Sequence, residues 1–389
     1  MDALSVTAAT GFSATGLHCG IKPEGAFDLA VVRSDSPASA AAVFTNSTTA
    51  APTITHGRDA VADGRLQAFV VASGCANAGT GDAGLAAVDR VAVAAAVALR
   101  VDAADVLVST TGSIGPILPD ELVRKVLEDG AVELSADPNS AAAAAQAIWT
   151  TDSVSKEAAR RADGYIIGGM AKGAGMVRPD MATMLAFLTT DAIVSAEALQ
   201  SALRSAVDFT FNCLNIDGCQ STNDTAAVMA SGASGIEPAM PEFTEHLTDV
   251  CRDLARQMAN DAEGASRVVT IEICGAATVQ DARDIGRLIA DAALVRASFY
   301  GGDPNWGRML AAAGATGHNV TADEVSVTYD GVMVAARGLS VDHDEEGLLA
   351  SLEKGDFTVD LTVGNGEGTA TIVTTDLTPE YVVFNGERS

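Results

Sequence analysis

Gly168-Gly169-Met170-Ala171-Lys172-Gly173-Ala174-Gly175-Met176-Val177-Arg178-Pro179-Asp180-Met181-Ala182-Thr183-Met184-Leu185 is a dense, low-charge stretch near the middle of the chain. Four glycines between Gly168 and Gly175 let the backbone approach a neighbour closely, Pro179 fixes a turn, and Thr183 opens an apolar, strand-like run to Leu188. Lys172 sits among glycines and apolar residues, where an ammonium needs a carboxylate or a substrate anion to compensate it. On composition alone the stretch is a glycine-rich turn feeding a buried strand.

Outward from it, helix-like and strand-like segments alternate. Asp82 to Arg100, Pro119 to Asp129 and Asn139 to Ile148 read as amphipathic helices. Phe243, Leu247, Val250, Cys251, Leu254, Ala255 and Met258 recur at helical spacing, which predicts one long helix over Pro241 to Asn260 with a single buried stripe. Val268 to Cys274 alternates as a strand should. Val325 to Thr328 and Val332 to Ala335 flank an Asp330-Gly331 turn typical of a hairpin, and Phe357 to Val363 is expected to pair with Thr369 to Val373. Helices mixed with hairpins predict an α/β (α+β) layered sandwich in two intimately joined lobes, not a doubly wound parallel sheet.

The chain has 389 residues, with 24 Lys+Arg against 51 Asp+Glu and a formal charge of −27. That balance argues against a nucleic-acid or anionic-membrane partner, since phosphate neutralisation needs clustered basic residues. Met1 to Gly16 lacks the basic and apolar regions of a secretory signal, and Val91 to Leu99 is too short to span a bilayer, so the expected location is cytoplasmic. Six cysteines occur without a C-x-x-C pair and the five histidines do not group with them, so neither a disulfide framework nor a metal site is expected. The usual phosphate-loop, zinc-peptidase, nucleophile-elbow and dinucleotide patterns are absent.

The central stretch resembles the K-G-x-G-M-x-x-P-x-[ML]-A-T-M-L signature of the ornithine acetyltransferase family, the bifunctional glutamate N-acetyltransferases of arginine biosynthesis. Further segments follow in the family's order. They include Gly20-Ile21-Lys22, Ala42-Val43-Phe44-Thr45, Thr111-Gly112, Thr150-Thr151-Asp152, Ser221-Thr222-Asn223-Asp224-Thr225, Asp261-Ala262-Glu263-Gly264 and Asp303-Pro304-Asn305-Trp306-Gly307-Arg308. The resemblance implies a precursor that cuts itself between Ala182 and Thr183 into an α chain, 1–182, and a β chain, 183–389. It assigns Thr183 as nucleophile and Thr111 and Gly112 as the oxyanion hole. Substrate contacts fall on Thr150, Lys172, Thr183, Glu263, Asn385 and Ser389. The implied reaction moves acetyl from N2-acetylornithine to glutamate by a ping-pong route through acetyl-Thr183, with no cofactor and with acetyl-CoA as an alternative donor. The implied assembly is an α2β2 pairing of the cleaved chains.

The chemistry is sound independently of the family. A Thr hydroxyl that attacks the preceding carbonyl converts amide to ester, which water opens, and the freed α-amine, with a reference pKa of about 7.7–8.0, then serves as base for the same hydroxyl. Some positions depart from the family pattern. Ala72 to Gly81 lacks two amides and has a thiol at Cys75, Arg267 and Arg296 stand where lysine is usual, and Asn385-Gly386-Glu387-Arg388-Ser389 is one residue short and lacks a tyrosine. The competing activity is hydrolysis on a similar self-processing scaffold, with water as acceptor.

Overall fold

The computed structural model describes residues 5–130, 132–178 and 184–387. Two compact units divide the chain. The first comprises Met1–Met176, Asp180–Asn212 and Cys219–Met258, and the second Val177–Pro179, Cys213–Gly218 and Ala259–Ser389.

The first unit is built on an eight-stranded sheet. Its strands are β1 (Phe12–Leu17), β2 (Leu29–Phe44), β3 (Arg65–Cys75), β4 (Val106–Ser113), β5 (Lys156–Ala162), β6 (Tyr165–Lys172), β7 (Leu185–Thr190) and β9 (Thr225–Ala230); the short β8 (Leu214–Asn215) belongs to the second unit. The order is β4-β3-β2-β9-β7-β6-β5, with β1 beside β2. Sixteen residues of β2 serve two neighbourhoods. Leu29 to Arg33 pairs with β3, Ser39 to Phe44 pairs with β9, and the register breaks between Arg33 and Ala38. Asp35, Ser36 and Pro37 are exposed at the break, where proline cannot donate to a ladder. The ladder bulges there, and pairing with β3 resumes at Ala38 and Ser39. Phe69 of β3 and Phe187 of β7, from strands that are not neighbours in the sheet, meet with their rings tilted by 46° and their centroids 5.1 Å apart, sharing one core with Val71, Leu107, Met170 and Met229.

Helix Gly81–Leu99 covers the outer face of β3 and β4, burying Val88, Val91 and Leu99, and stops where Arg100 turns left-handed at φ 58°. The long helix runs Met240–Asn260, and every residue of its expected stripe from Phe243 to Met258 is buried.

The second unit carries a seven-stranded sheet, β13-β12-β11-β14-β10-β15-β8. These strands are β10 (Val268–Ala276), β11 (Ser326–Tyr329), β12 (Val332–Ala336), β13 (Leu339–Ser340), β14 (Phe357–Thr362) and β15 (Gly368–Thr375). The hairpin at Asp330-Gly331 forms as read, with φ 45° and 81° at the two turn residues. The expected pairing of Phe357–Val363 with Thr369–Val373 does not form. Strand β10 lies between them, parallel to β14 and antiparallel to β15. Val269, Ile271 and Ile273 are fully buried, and a strand buried that deeply must satisfy ladder groups on both edges. The connection crosses over the end of β10 through Gly364 and Gly366, and a side chain on Gly366 would strike the Ala276 carbonyl at 2.0 Å.

The structure is a mixed α/β architecture of layered sheets and helices, as expected. Two local readings need correction. Gly168 and Gly169 lie inside β6, not in a turn; a Cβ at Gly168 would meet the Ser5 carbonyl at 2.1 Å. On composition alone Thr110-Thr111-Gly112 reads as a plain turn after Val106-Leu107-Val108, but it is strand, the end of β4.

Candidate functional site

Side-chain hydrogen bonds join the end of β4 to the end of β6 and to the residues that lead into β9. Lys172 closes β6 and is 2% exposed, and its Nζ donates to Thr111 Oγ1 at 3.0 Å. Thr111 and Lys172 are 61 residues apart in the chain. Gly112 follows Thr111 with φ +133°, and its backbone lies so close to β3 that a Cβ would fall 2.3 Å from Gly74 C and 2.5 Å from Cys75 N. Glycine is required at that position twice over, for conformation and for space.

Asp152 organises the other side of Lys172. Its Oδ1 accepts from Lys156 Nζ at 2.6 Å and from Gly173 N–H at 2.8 Å, and its Oδ2 accepts from Thr150 N–H at 2.9 Å. The side chains of Asp152 and Lys156 are completely buried. Burial by itself raises a carboxyl pKa, but the Lys172 and Lys156 charges and the Gly173 N–H outweigh it and hold Asp152 below the usual carboxylate range. Three assigned residues of the first unit, Thr111, Lys172 and Thr150, thus converge on one charged cluster, with Gly112 adjoining.

The lead-in to β9 supplies two more groups. Asn223 Nδ2 donates to Ala76 O at 2.7 Å and to Thr110 O at 2.9 Å, tying the end of β3 to the end of β4. Asp224 Oδ1 accepts from Met184 N–H at 2.9 Å. Burial drives the Asp224 carboxyl well above the usual carboxylate range, although the Met184 N–H, the Ser221 hydroxyl and the Lys172 charge favour its ionised form.

A further cation lies nearby. Asp28, fully buried, accepts backbone N–H groups from Cys19, Gly20, Ile21 and Lys22 and so fixes that loop. The stem of Lys22 lies over Gly74, where a Cβ would meet Lys22 Cγ at 3.3 Å, and Gly74 is the register partner of Gly112. Burial pushes the Lys22 ammonium down to about 8, with the Lys172 charge adding to the shift.

Ala182, Thr183 and Ser389 lie outside the described residues. The chain on both sides of the expected cut nevertheless contributes adjacent strands, β6 and β7, to one sheet. In the second unit, Glu263 stands in the turn after the long helix, where Gly264 O accepts from Thr378 Oγ1 at 2.6 Å, and Asn385 is an exposed residue of helix Pro379–Gly386. Arg296, one of the departures, is buried there. Its guanidinium donates to Thr375 O, Thr375 Oγ1 and Asp376 O and sits 5.9 Å above the Tyr381 ring, a fork that lysine does not provide.

The altered Ala72 to Gly81 segment is internally satisfied. Asn77 takes a left-handed conformation, donates to Gly84 O and accepts from Leu118 N–H and Thr80 Oγ1. The Cys75 thiol lies near Pro116 O and is raised in pKa by burial, so it is a packing group and not a nucleophile.

Sequence reasoning quoted Asp152, Asn223 and Asp224 within motifs but gave them no role, and it left Lys156 and Asp28 unremarked. The available signal was carboxylates in low-charge surroundings, a pattern that implies buried partners. Among the described residues no group of His, Cys, Asp and Glu is arranged to hold a metal ion, and no helix is long and apolar enough to cross a membrane.

The ArgJ family model matches residues 13–389. The arginine biosynthesis bifunctional protein ArgJ of Thermobifida fusca is 47% identical over 395 aligned positions, covering 99% of this chain and all of that one. Its namesake in Mycobacterium tuberculosis is 43% identical, covering 100% of this chain and 97% of that protein. Among solved structures, ArgJ of Bacillus halodurans aligns at 33% identity with a TM-score of 0.49, covering 51% of this chain and 96% of that chain. Ornithine acetyltransferase of M. tuberculosis complexed with ornithine aligns at 39% identity with a TM-score of 0.44, covering 46% of this chain and 96% of that chain.

Proposed function

The chain belongs to the ArgJ family, and we propose that this acetyltransferase of arginine biosynthesis moves the acetyl group of N2-acetylornithine to glutamate through an acetyl ester on Thr183. The observation that carries the site assignment is the buried Lys172–Thr111 hydrogen bond, supported by Gly112 beside it.

The scheme begins with self-cleavage. The Thr183 hydroxyl attacks the Ala182 carbonyl, the peptide nitrogen becomes the free α-amine of Thr183, and water releases the Ala182 carboxylate. In transfer, the Thr183 oxygen attacks the acetyl carbonyl and its proton passes to the α-amine. The carbonyl oxygen becomes an alkoxide, met by the Gly112 N–H and the Thr111 hydroxyl. Lys172 occupies a lone pair of Thr111 Oγ1, which leaves the Thr111 O–H to donate and polarises it toward the anion. Collapse expels ornithine, which takes the proton as its amine departs. The glutamate amine then attacks the ester by the reverse route to give N-acetylglutamate and free Thr183. Lys172 and Thr150 contact the substrate in this scheme, and no cofactor takes part. Acetyl-CoA is a second candidate donor for the same ester, α2β2 is the proposed assembly, and the cytoplasm is the proposed location.

Incubation with N2-acetylornithine, followed by mass analysis of the β-chain N-terminal peptide, tests the scheme. An acetyl adduct on Thr183 that disappears on adding glutamate is expected. Ornithine release at full rate without any acceptor would convert the assignment to a hydrolase, and a Thr183→Ala chain that still splits would remove self-cleavage by this hydroxyl.

A further inference from the structure

Asn223 and Asp224 are consecutive, yet their side chains hold different segments of the chain. Asn223 Nδ2 holds the carbonyls of Ala76 and Thr110, which fixes the ends of β3 and β4 where Thr111 and Gly112 emerge. It also lies 3.1 Å from Thr110 Oγ1, itself a donor to Ala76 O. Asp224 Oδ1 holds the backbone N–H of Met184, the residue joined directly to Thr183. Both side chains are buried, Asn223 at 5% exposure and Asp224 at 0%. Asp224 Oδ2 has no hydrogen-bond partner of ordinary geometry among the described residues. A carboxyl buried this completely is costly as a mere packing group.

We propose that Asp224 is a positioning residue for the acetyl-transfer site. Its carboxyl holds the backbone N–H of Met184, the residue that follows the nucleophile in the chain, while Asn223 holds the strand that carries Thr111 and Gly112. The inference rests on the reading of Thr183 as nucleophile. Burial favours the neutral acid at this position, which accepts the Met184 N–H through its carbonyl oxygen as an amide side chain would. Asp224→Asn is therefore the conservative replacement, and Asp224→Ala removes the anchor.

Full-length wild type, Asp224→Ala, Asp224→Asn and Thr183→Ala are compared by denaturing gel for cleavage, by thermal melting for folding, and by ornithine release for kcat and KM. Loss of the anchor should slow cleavage and lower kcat of the processed enzyme about 100-fold, the scale of a misplacement near 1 Å, while KM for N2-acetylornithine moves by less than about threefold. Asp224→Asn should regain at least about tenfold of that loss and keep the acidic limb of the wild-type kcat/KM profile. A purely structural role would lower melting temperature without this split between kcat and KM. Wild-type cleavage and kcat in Asp224→Ala overturn the proposal. So does an Asp224→Asn enzyme that is as impaired as Asp224→Ala or that loses the acidic limb, because the ionised carboxylate would then be the working species. If Asp224→Ala does not melt cooperatively, the pH profile of Asp224→Asn decides the question. Failure of the underlying reading is separate: it shows as cleavage or transfer by Thr183→Ala.

Discussion

Replacing Gly112 with alanine is the sharpest single perturbation of the oxyanion strand. Its Cβ would lie 2.3 Å from Gly74 C and 2.5 Å from Cys75 N, and real Cβ contacts do not fall below 3.0 Å, so the backbones of β3 and β4 must separate by about 0.7 Å or more. Neither neighbour is the movable end of a side chain; both are backbone. A displacement near 1 Å at reacting groups costs up to about 100-fold, so kcat should fall roughly 10- to 100-fold, with KM changed much less. Holding alanine at φ +133° adds about 1–3 kcal/mol of strain and should lower the melting temperature by several degrees. Ornithine release under saturating N2-acetylornithine and glutamate measures the first effect, and a calorimetric scan the second. Because self-cleavage uses the same oxyanion donors, the uncut chain should also persist longer on a denaturing gel. An enzyme with kcat within about threefold of wild type and an unchanged melting temperature would refute the placement of the Gly112 backbone at the reacting centre.

Four further outcomes follow from the buried titratable groups. Asp152→Ala takes away the carboxylate 2.6 Å from Lys156, and denaturant titration should show a loss of about 3–5 kcal/mol, the usual consequence of breaking a buried pair from one side. The folded-state pKa of Asp152 is depressed, so the stability it confers is present above the ordinary carboxylate value of about 3.9 and fades as pH falls through the lower folded value; the gap between wild type and Asp152→Asn should narrow below about pH 4. Asp224 has the opposite sign. Its folded pKa is raised, so its unfolded form ionises first as pH rises above about 3.9 and wild type loses stability relative to Asp224→Asn; the melting temperature of Asp224→Asn minus that of wild type should climb from pH 4 to pH 7. Lys22, half-buried with its ammonium pushed down to about 8, should be acylated by an amine reagent at pH 8 well before the fully buried Lys156, and equal labelling in a peptide map would contradict its placement.

Much of the molecule's local structure was legible in its sequence, because periodicity and turn chemistry act over a few residues. The stripe from Phe243 to Met258 specified one long helix, and Asp330-Gly331 specified a hairpin, since only residues that accept positive φ close that turn. The motif resemblance named Thr111, Gly112, Lys172 and Thr150, and the fold gathers these four around the ends of β4 and β6. Strand partnership was not legible. Nothing in Phe357–Thr362 or Gly368–Thr375 announces that β10, some eighty residues upstream, will separate them. The glycines of β6 looked like turn residues because a sequence does not show the Ser5 carbonyl that excludes a side chain there. Asp152 and Asp224 were acidic residues among many in a chain of net charge −27 until tertiary structure gave one two lysines and the other a desolvated backbone N–H. Residue types and local spacing determined which groups with chemistry this protein carries. Their convergence was decided by tertiary structure, because contacts between residues 61 and 113 positions apart arise from the path of the chain and leave no local pattern.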